Sequence, residues 1–212
     1  MSFVITIPCK YIAAASYAAS VYTDEPRTYL RGIHFRPHKS GRVMVEASNG
    51  HIAVQAVGES EWPEGLPSVL IEFPRDVLRE IRKIGNANEP VNLWWTSDAE
   101  VALEIGSRQF LVLDLPTVNA TFPNIDSIYE NSSVQDEIGK PFPDELGFST
   151  TYLRAVDEVA RALKGHSAKP KESGAAGLAA CRFQFNGRTR VDVEFRDFDP
   201  DLVRMAVMPC RF

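Results

Sequence analysis

Apolar positions along the chain recur with two periods, and the same order of periods is met three times. The first stretch opens with an extended run at residues 3–7. Helical spacing follows from about 9 to 22, with Tyr11, Ile12, Ala15, Ala18 and Ala19 on one side. Strand-like runs come next at 29–35, 43–47 and 51–56, separated by turn residues at 37–41 and by Ser48-Asn49-Gly50. Asn-Gly between two apolar runs is the strongest short hairpin signal in the chain.

The second stretch opens at 68–73. Pro74 suits the first helical position, where its missing N–H has no partner to lose. Val77, Leu78, Ile81 and Ile84 then form one apolar stripe, Gly85-Asn86 stops the helix, and strands are predicted at 91–95, 100–105 and 108–115. The third opens at 146–149 and continues as a helix over 150–163, with Leu153, Val156, Val159, Ala160 and Leu163 facing inward. Strands are predicted at 181–185, 190–195 and 203–208. Residues 129–145, rich in Asn, Ser, Asp and Pro, read as a connector, and 165–177 as a soft, small-residue segment. Amphipathic helices on one face of antiparallel sheets make this an α+β chain of about three half-domain units.

Composition narrows the chemistry. With 44% hydrophobic and 24% charged residues the chain is globular, not a disordered tail or a disulfide scaffold. A net charge of −5 excludes a protein that coats DNA along its whole surface, so any nucleic-acid contact must use a local basic face. Cys9, Cys181 and Cys210 are far apart and odd in number, which reads as reduced thiols in a cytoplasmic protein. The start lacks a signal-peptide pattern, and the uncharged stretch 11–23 is too short to span a bilayer.

Catalytic constellations are missing. There is no G-x-S-x-G, P-loop or H-E-x-x-H. Asp197-Phe198-Asp199-Pro200-Asp201 begins like a calcium loop, but Leu202 and Met208 stand where Gly and Glu are required, so it reads as a turn. Pro37 prevents the helix that would bring His34 and His38 together. Trp62, Trp94 and Trp95 read as core or interface. No enzyme activity, metal or cofactor is expected.

Four stretches, in order, carry a resemblance: Tyr29-Leu30-Arg31-Gly32-Ile33, Val45-Glu46-Ala47-Ser48-Asn49-Gly50-His51, Phe122-Pro123-Asn124-Ile125, and the ending Val207-Met208-Pro209-Cys210-Arg211-Phe212. They resemble segments of the bacterial DNA polymerase III beta subunit, the sliding clamp. Residues 1–128 resemble that family's middle domain, 129–145 a connector, and 146–212 half of its last domain or a reduced domain. The family's first domain has no counterpart. Asn49 stands where the family has Asp, Ile52-Ala53 where it has Arg-Leu, and Cys210 and Phe212 replace Met and Leu.

The resemblance implies a non-enzymatic processivity factor, a homo-oligomeric ring around duplex DNA that tethers a polymerase and is opened by a clamp loader through short peptide motifs. The alternative is a clamp-derived interaction module that binds replication partners without encircling DNA. Arg75, Arg79 and Arg82, spaced by four and three, share a helix face with Lys83 nearby, and Arg154 and Arg161 share another, followed by Lys164. Under the resemblance these seven cations become DNA-facing groups that attract phosphates without reading sequence. A partner-peptide groove is implied at Leu30, Ser48, Gly50, His51, Pro123, Ile128, Met208, Pro209 and Arg211, with Ile52, Ala53, Cys210 and Phe212 as altered neighbours. Three units leave one without an intrachain mate. A lone unit would expose the stripe Leu153, Val156, Val159 and Leu163 and a sheet edge, so self-association is expected, as a tetramer or a trimer.

Overall fold

The computed structural model describes residues 3–19, 25–84, 86–97, 100–106, 120–130, 147–165, 181–186 and 190–209. The strand predicted at 108–115, most of the connector, residues 166–177 and the terminal Cys210, Arg211 and Phe212 lie outside the described residues. The elements are, in order, β1 (Val4–Pro8), α1 (Cys9–Ala18), a 3-10 turn (Thr28–Leu30), β2 (Ile33–Pro37), β3 (Arg42–Ser48), β4 (Ile52–Glu61), β5 (Val69–Ile71), α2 (Arg75–Lys83), β6 (Pro90–Ser97), β7 (Glu100–Ile105), α3 (Asp126–Glu130), α4 (Thr150–Lys164), β8 (Cys181–Asn186), β9 (Arg190–Phe195) and β10 (Val203–Val207). No helix among the described residues is long and apolar enough to cross a membrane.

Two antiparallel sheets form, one in the order β1-β6-β7 and one in the order β5-β2-β3-β4-β10-β9-β8. Units one and two exchange their opening strands. β1 lies beside β6, with Ile5 opposite Leu93 and Ile7 opposite Val91, while β5 lies beside β2, with Ile33 opposite Ile71. The last strand of the chain joins the sheet of the first unit: β10 runs against β4, from Val203 opposite Ala56 to Val207 opposite Ile52.

Alternation sorts the long sheet into two faces. Ile33, Phe35, Val43, Val45, Ala47, Val54, Val193, Met205 and Val207 enter the main core with the helices. His34, Arg36, Glu46, Gln55 and Arg204 occupy the intervening positions on the other face.

α1 lies over β3 and β4 with α2 and α4 on either side. Its Ala13, Ala14, Ala15 and Ala18 are buried, and such small side chains let a neighbouring helix approach closely. Here the structure corrects the sequence expectation of an uncovered third helix. α4 packs on α1 within the chain and buries Val156, Val159 and Leu163, and only Leu153 of that stripe stays exposed. The β10 edge is likewise covered, by β4, and among the described residues the sheet continues from β10 through β9 to β8.

Element ends follow local chemistry. α4 starts where the Ser149 hydroxyl accepts from the Thr151 N–H at 3.3 Å and stops at Gly165, whose φ of +81° ends the helix. Pro74 caps α2 from just outside, its carbonyl accepting from Leu78 N at 3.0 Å. α1 ends at Ala18, shorter than its apolar spacing predicted, because Ala19 adopts extended geometry.

Candidate functional site

The seam between β4 and β10 is where the sequence-predicted groove residues meet. It begins at the turn over residues 48–51. The Asn49 side-chain oxygen accepts from the N–H groups of His51 (2.9 Å) and Ile52 (2.8 Å), and the Ser48 hydroxyl donates to the Ile52 carbonyl (2.8 Å) while accepting from Gly50 N (3.1 Å). Gly50 sits at φ +86°, a left-handed conformation, and a Cβ there would meet the Arg27 guanidinium at 3.2 Å. The Asn49 side chain supplies the acceptor that builds this turn.

The C-terminal end reaches the same turn. Met208 N donates to the His51 carbonyl at 2.9 Å, which extends the β4–β10 ladder by one bond. Strand alternation puts Met208 on the face of Ala53 and Ala206, away from the helices, and Met208 is 42% exposed. The His51 ring stacks on Tyr152 at the start of α4, with centroids 5.4 Å apart.

A small apolar cluster lies on that same outer face. Ala53, Leu70, Phe122 and Ile125 are buried in it, with Tyr29, Ile128 and Tyr129 packed around them. Leu30 is buried next to Tyr29, Pro123 is exposed beside Phe122, and Pro209 is half-buried. Thus Ser48, Gly50, His51, Met208 and Pro209 are gathered at the turn, and Ile128 and Pro123 at the cluster. Arg211 lies outside the described residues.

Sequence reasoning missed what holds this surface together. A polar row crosses four strands in register: His34 opposite Glu46, Glu46 opposite Gln55, Gln55 opposite Arg204. Glu46 is only 2% exposed and receives His34 Nδ1 at 2.7 Å, Arg36 Nε at 2.8 Å and Gln55 Nε2 at 2.7 Å. Burial alone would raise its carboxyl pKa, but these three partners hold it below the ordinary carboxylate range.

Asp126, first residue of α3, bridges the seam. It accepts from Arg36 on β2 (2.7 Å), Gln55 on β4 (3.0 Å) and Arg204 on β10 (2.6 Å), and these together overcome burial and lower its pKa. Arg204 also donates from Nε to the Gln55 side-chain oxygen Oε1 at 2.6 Å and lies over the Tyr129 ring at 4.0 Å. Arg190 on β9 donates to the Ile128 carbonyl. The signal available in the sequence was the polar residues interrupting four apolar strands, His34 and Arg36 in β2, Glu46 in β3, Gln55 in β4 and Arg204 in β10, a placement that is costly unless the groups are paired.

The predicted DNA-facing cations occupy several environments. Arg75, Arg79 and Lys83 are exposed on α2, with Lys83 paired to Glu80 at 2.8 Å. On α4, Arg161 pairs with Asp157 at 2.9 Å and Arg154 lies 3.9 Å from Glu158, while Lys164 reaches Asp197 in the β9–β10 turn at 3.3 Å. Arg82 turns inward: it donates to the Ser16 hydroxyl (2.8 Å) and carbonyl (2.9 Å) and stacks over Tyr17 at 4.2 Å, tying α2 to α1. Exposed (i, i+4) pairs contribute about 0.3–0.5 kcal/mol each and leave their cations available to a phosphate. Burial pushes the Cys9 thiol up to about 11, with Glu89 adding to the effect, so Cys9 is no thiolate nucleophile at neutral pH.

No protein-family model matches the sequence, and no curated protein matches it. Solved structures do match in shape. The DNA polymerase III subunit beta of Borrelia burgdorferi, in complex with a natural product, superposes with a TM-score of 0.61 at 12% identity over 99% of this chain and 64% of that one. The sliding clamp of Bacillus subtilis gives a TM-score of 0.61 at 16% identity, again over 99% and 64%. The DnaN sliding clamp of Bartonella birtlesii, bound to griselimycin, gives 0.58 at 16% identity over 100% and 66%. The chain therefore spans about two thirds of the length of the clamps it matches. Its fold is that of the bacterial DNA polymerase III beta sliding clamps.

Proposed function

We propose that this chain is a compact, non-enzymatic sliding clamp, a homo-oligomeric ring that encircles duplex DNA and tethers replication proteins. The observation that carries the reading is the seam, where the Met208 end is zipped to the 48–51 turn beside an apolar cluster of the outer face. An apolar surface rimmed by a few polar groups suits a short peptide motif, and we assign the polymerase and clamp loader to it. In this reading residues 1–128 act as a middle-type clamp domain and 146–212 as a half-domain docked on it.

The helix layer supports the DNA side. α1 carries one cation, α2 four cations against two acids, and α4 three against two, so the layer is net positive in a chain of net charge −5. That distribution favours sequence-independent phosphate attraction on the helix side alone. Protein bound to a closed circular plasmid should co-elute with it through gel filtration at moderate salt and be lost when the plasmid is linearised. Equal retention on both forms, or on neither, overturns the ring.

One observation favours the second reading, a partner-binding module that never closes on DNA. Arg82 is committed to Ser16, and Lys83, Arg154 and Arg161 each have an acid on their own helix. Under that reading a clamp-motif peptide still binds at the seam, and topology-dependent retention on DNA is absent.

A further inference from the structure

Trp94 and Trp95 stand side by side in β6, and alternation sends them to opposite faces of the three-stranded sheet. Trp95 is buried in the core, whereas Trp94 on the outer face is 40% exposed. The pairing of β6 with both neighbours sets two cross-strand rows on that outer face. Val4, Trp94 and Ala102 form one, and Thr6, Asn92 and Glu104 form the next. The rows are two residues apart along each strand, about 7 Å.

The second row is a directed chain of hydrogen bonds. Thr6 Oγ1 donates to Asn92 Oδ1 at 2.8 Å, and Asn92 Nδ2 donates to Glu104 Oε2 at 3.2 Å. Trp94 Nε1 joins from the first row and donates to the same carboxylate oxygen at 3.3 Å. The indole edge is thereby tied to Glu104 while the residue stays exposed. A carboxylate at the N–H edge adds electron density to the ring, whose face already attracts cations. β1, β6 and β7 contain no Lys or Arg, and their charged residues are both glutamates, Glu100 and Glu104. The Ser60 hydroxyl donates to the Thr6 carbonyl at 2.6 Å, so the exposed Glu59 and Glu61 adjoin the same sheet. An exposed Trp is the kind of side chain that anchors an interface, and here its surroundings carry negative charge.

We propose that the outer face of the β1-β6-β7 sheet docks an arginine-bearing segment of a partner protein, its guanidinium stacking on Trp94 and pairing with the Glu104 carboxylate. Arginine suits the pair better than lysine, because a planar guanidinium can lie on an indole and still direct N–H groups at a carboxylate beside it. Val4 and Ala102, on either side of Trp94, offer shallow apolar contact to the residues flanking that arginine. Charge complementarity selects a basic peptide over a nucleic acid, since a base stacked on Trp94 would bring its phosphates toward Glu104. The surface is on a different sheet from the seam and opposite in sign to the helix layer, so it stands apart from both the peptide groove and the DNA reading.

Calorimetric titration of the full chain at low salt tests it, with a short synthetic peptide of alternating Arg and Val as the probe. A twin peptide with citrulline in place of Arg keeps the shape and loses the charge. The Arg peptide should saturate a site on the wild type and shift the Trp94 indole N–H signal in NMR, and the citrulline twin should bind at least about tenfold more weakly. Trp94→Ala should weaken the Arg peptide about tenfold and Glu104→Gln about fivefold, the second variant keeping the packing if the first fails to fold. Asp201→Asn removes an exposed acid in the β9–β10 turn and should leave the affinity unchanged. No saturable binding of the Arg peptide overturns the proposal. So does equal affinity for the citrulline twin, which would make the site a platform for neutral ligands. So does an equal loss from Asp201→Asn and Glu104→Gln, which would reduce the attraction to net charge.

Discussion

On the helix side of the seven-stranded sheet, the junction of β4 with β10 is covered by aliphatic side chains: Val54, Ala56, Val203, Met205 and Val207, under the alanines of α1 and the valines of α4. On the opposite side the same junction is spanned by Arg36, Glu46, Gln55, Asp126 and Arg204. The apolar side is tolerant, because dispersion and hydrophobic burial are non-directional and fall off gradually with imperfect fit. The polar side is brittle, because each group is satisfied by a particular partner and loss of one leaves a buried charge behind. The brittle side carries the apolar cluster and the Met208 end, so the surface assigned to partners rests on the more exacting half of the structure.

The largest expected effect comes from breaking that half. Glu46→Ala removes the common acceptor of His34, Arg36 and Gln55 and should destabilise the chain by about 3 kcal/mol in urea melts. A loss below about 1 kcal/mol would mean that water replaces the carboxylate and the network is not brittle.

Acid should act on the same side. Glu46 and Asp126 both have folded pKa values below their ordinary ones. Their contribution is therefore complete above the ordinary carboxylate range and is lost as pH falls through the folded values. Asp192, whose pKa burial raises, acts in the opposite sense. Stability measured from pH 7 down to pH 3 should fall, and Glu46→Gln should flatten that slope. A slope identical to that of the wild type would remove Glu46 from the account.

The apolar side should respond to volume instead. Ala15 is fully buried in α1, and Ala15→Leu should cost about 1–3 kcal/mol by overpacking, with no change in the pH slope. An altered pH slope would show that the two faces are coupled.

The smallest effect separates two arginines on one helix. Arg82→Ala should cost about 1.5 kcal/mol through its bonds to Ser16, whereas Arg79→Ala on the exposed face should stay within about 0.5 kcal/mol. In salt-dependent DNA binding the order should reverse, with Arg79→Ala the more damaging.

Much of this was legible before any coordinates. The helix over 150–163, the hairpin at Asn49-Gly50 and the strands at 100–105 and 190–195 follow from local period and turn chemistry, and each lies within a residue or so of where the spacing put it. The same-face spacing of Arg75, Arg79 and Arg82 was also legible, but it overstated their equivalence: hydroxyl and carbonyl acceptors on α1, 66 residues away in sequence, draw Arg82 inward.

Local pattern determined which residues are helical, which alternate, and which turn needs glycine, because those depend on neighbours a few positions apart. Only the tertiary structure decided that β1 belongs with β6 and β5 with β2, and that the last strand closes on the first unit's sheet. It alone decided that the polar residues interrupting four strands become one row paired across the sheet. Strand pairing and charge satisfaction join residues far apart in sequence, 149 positions for Gln55 and Arg204, and no periodicity within either segment encodes its partner.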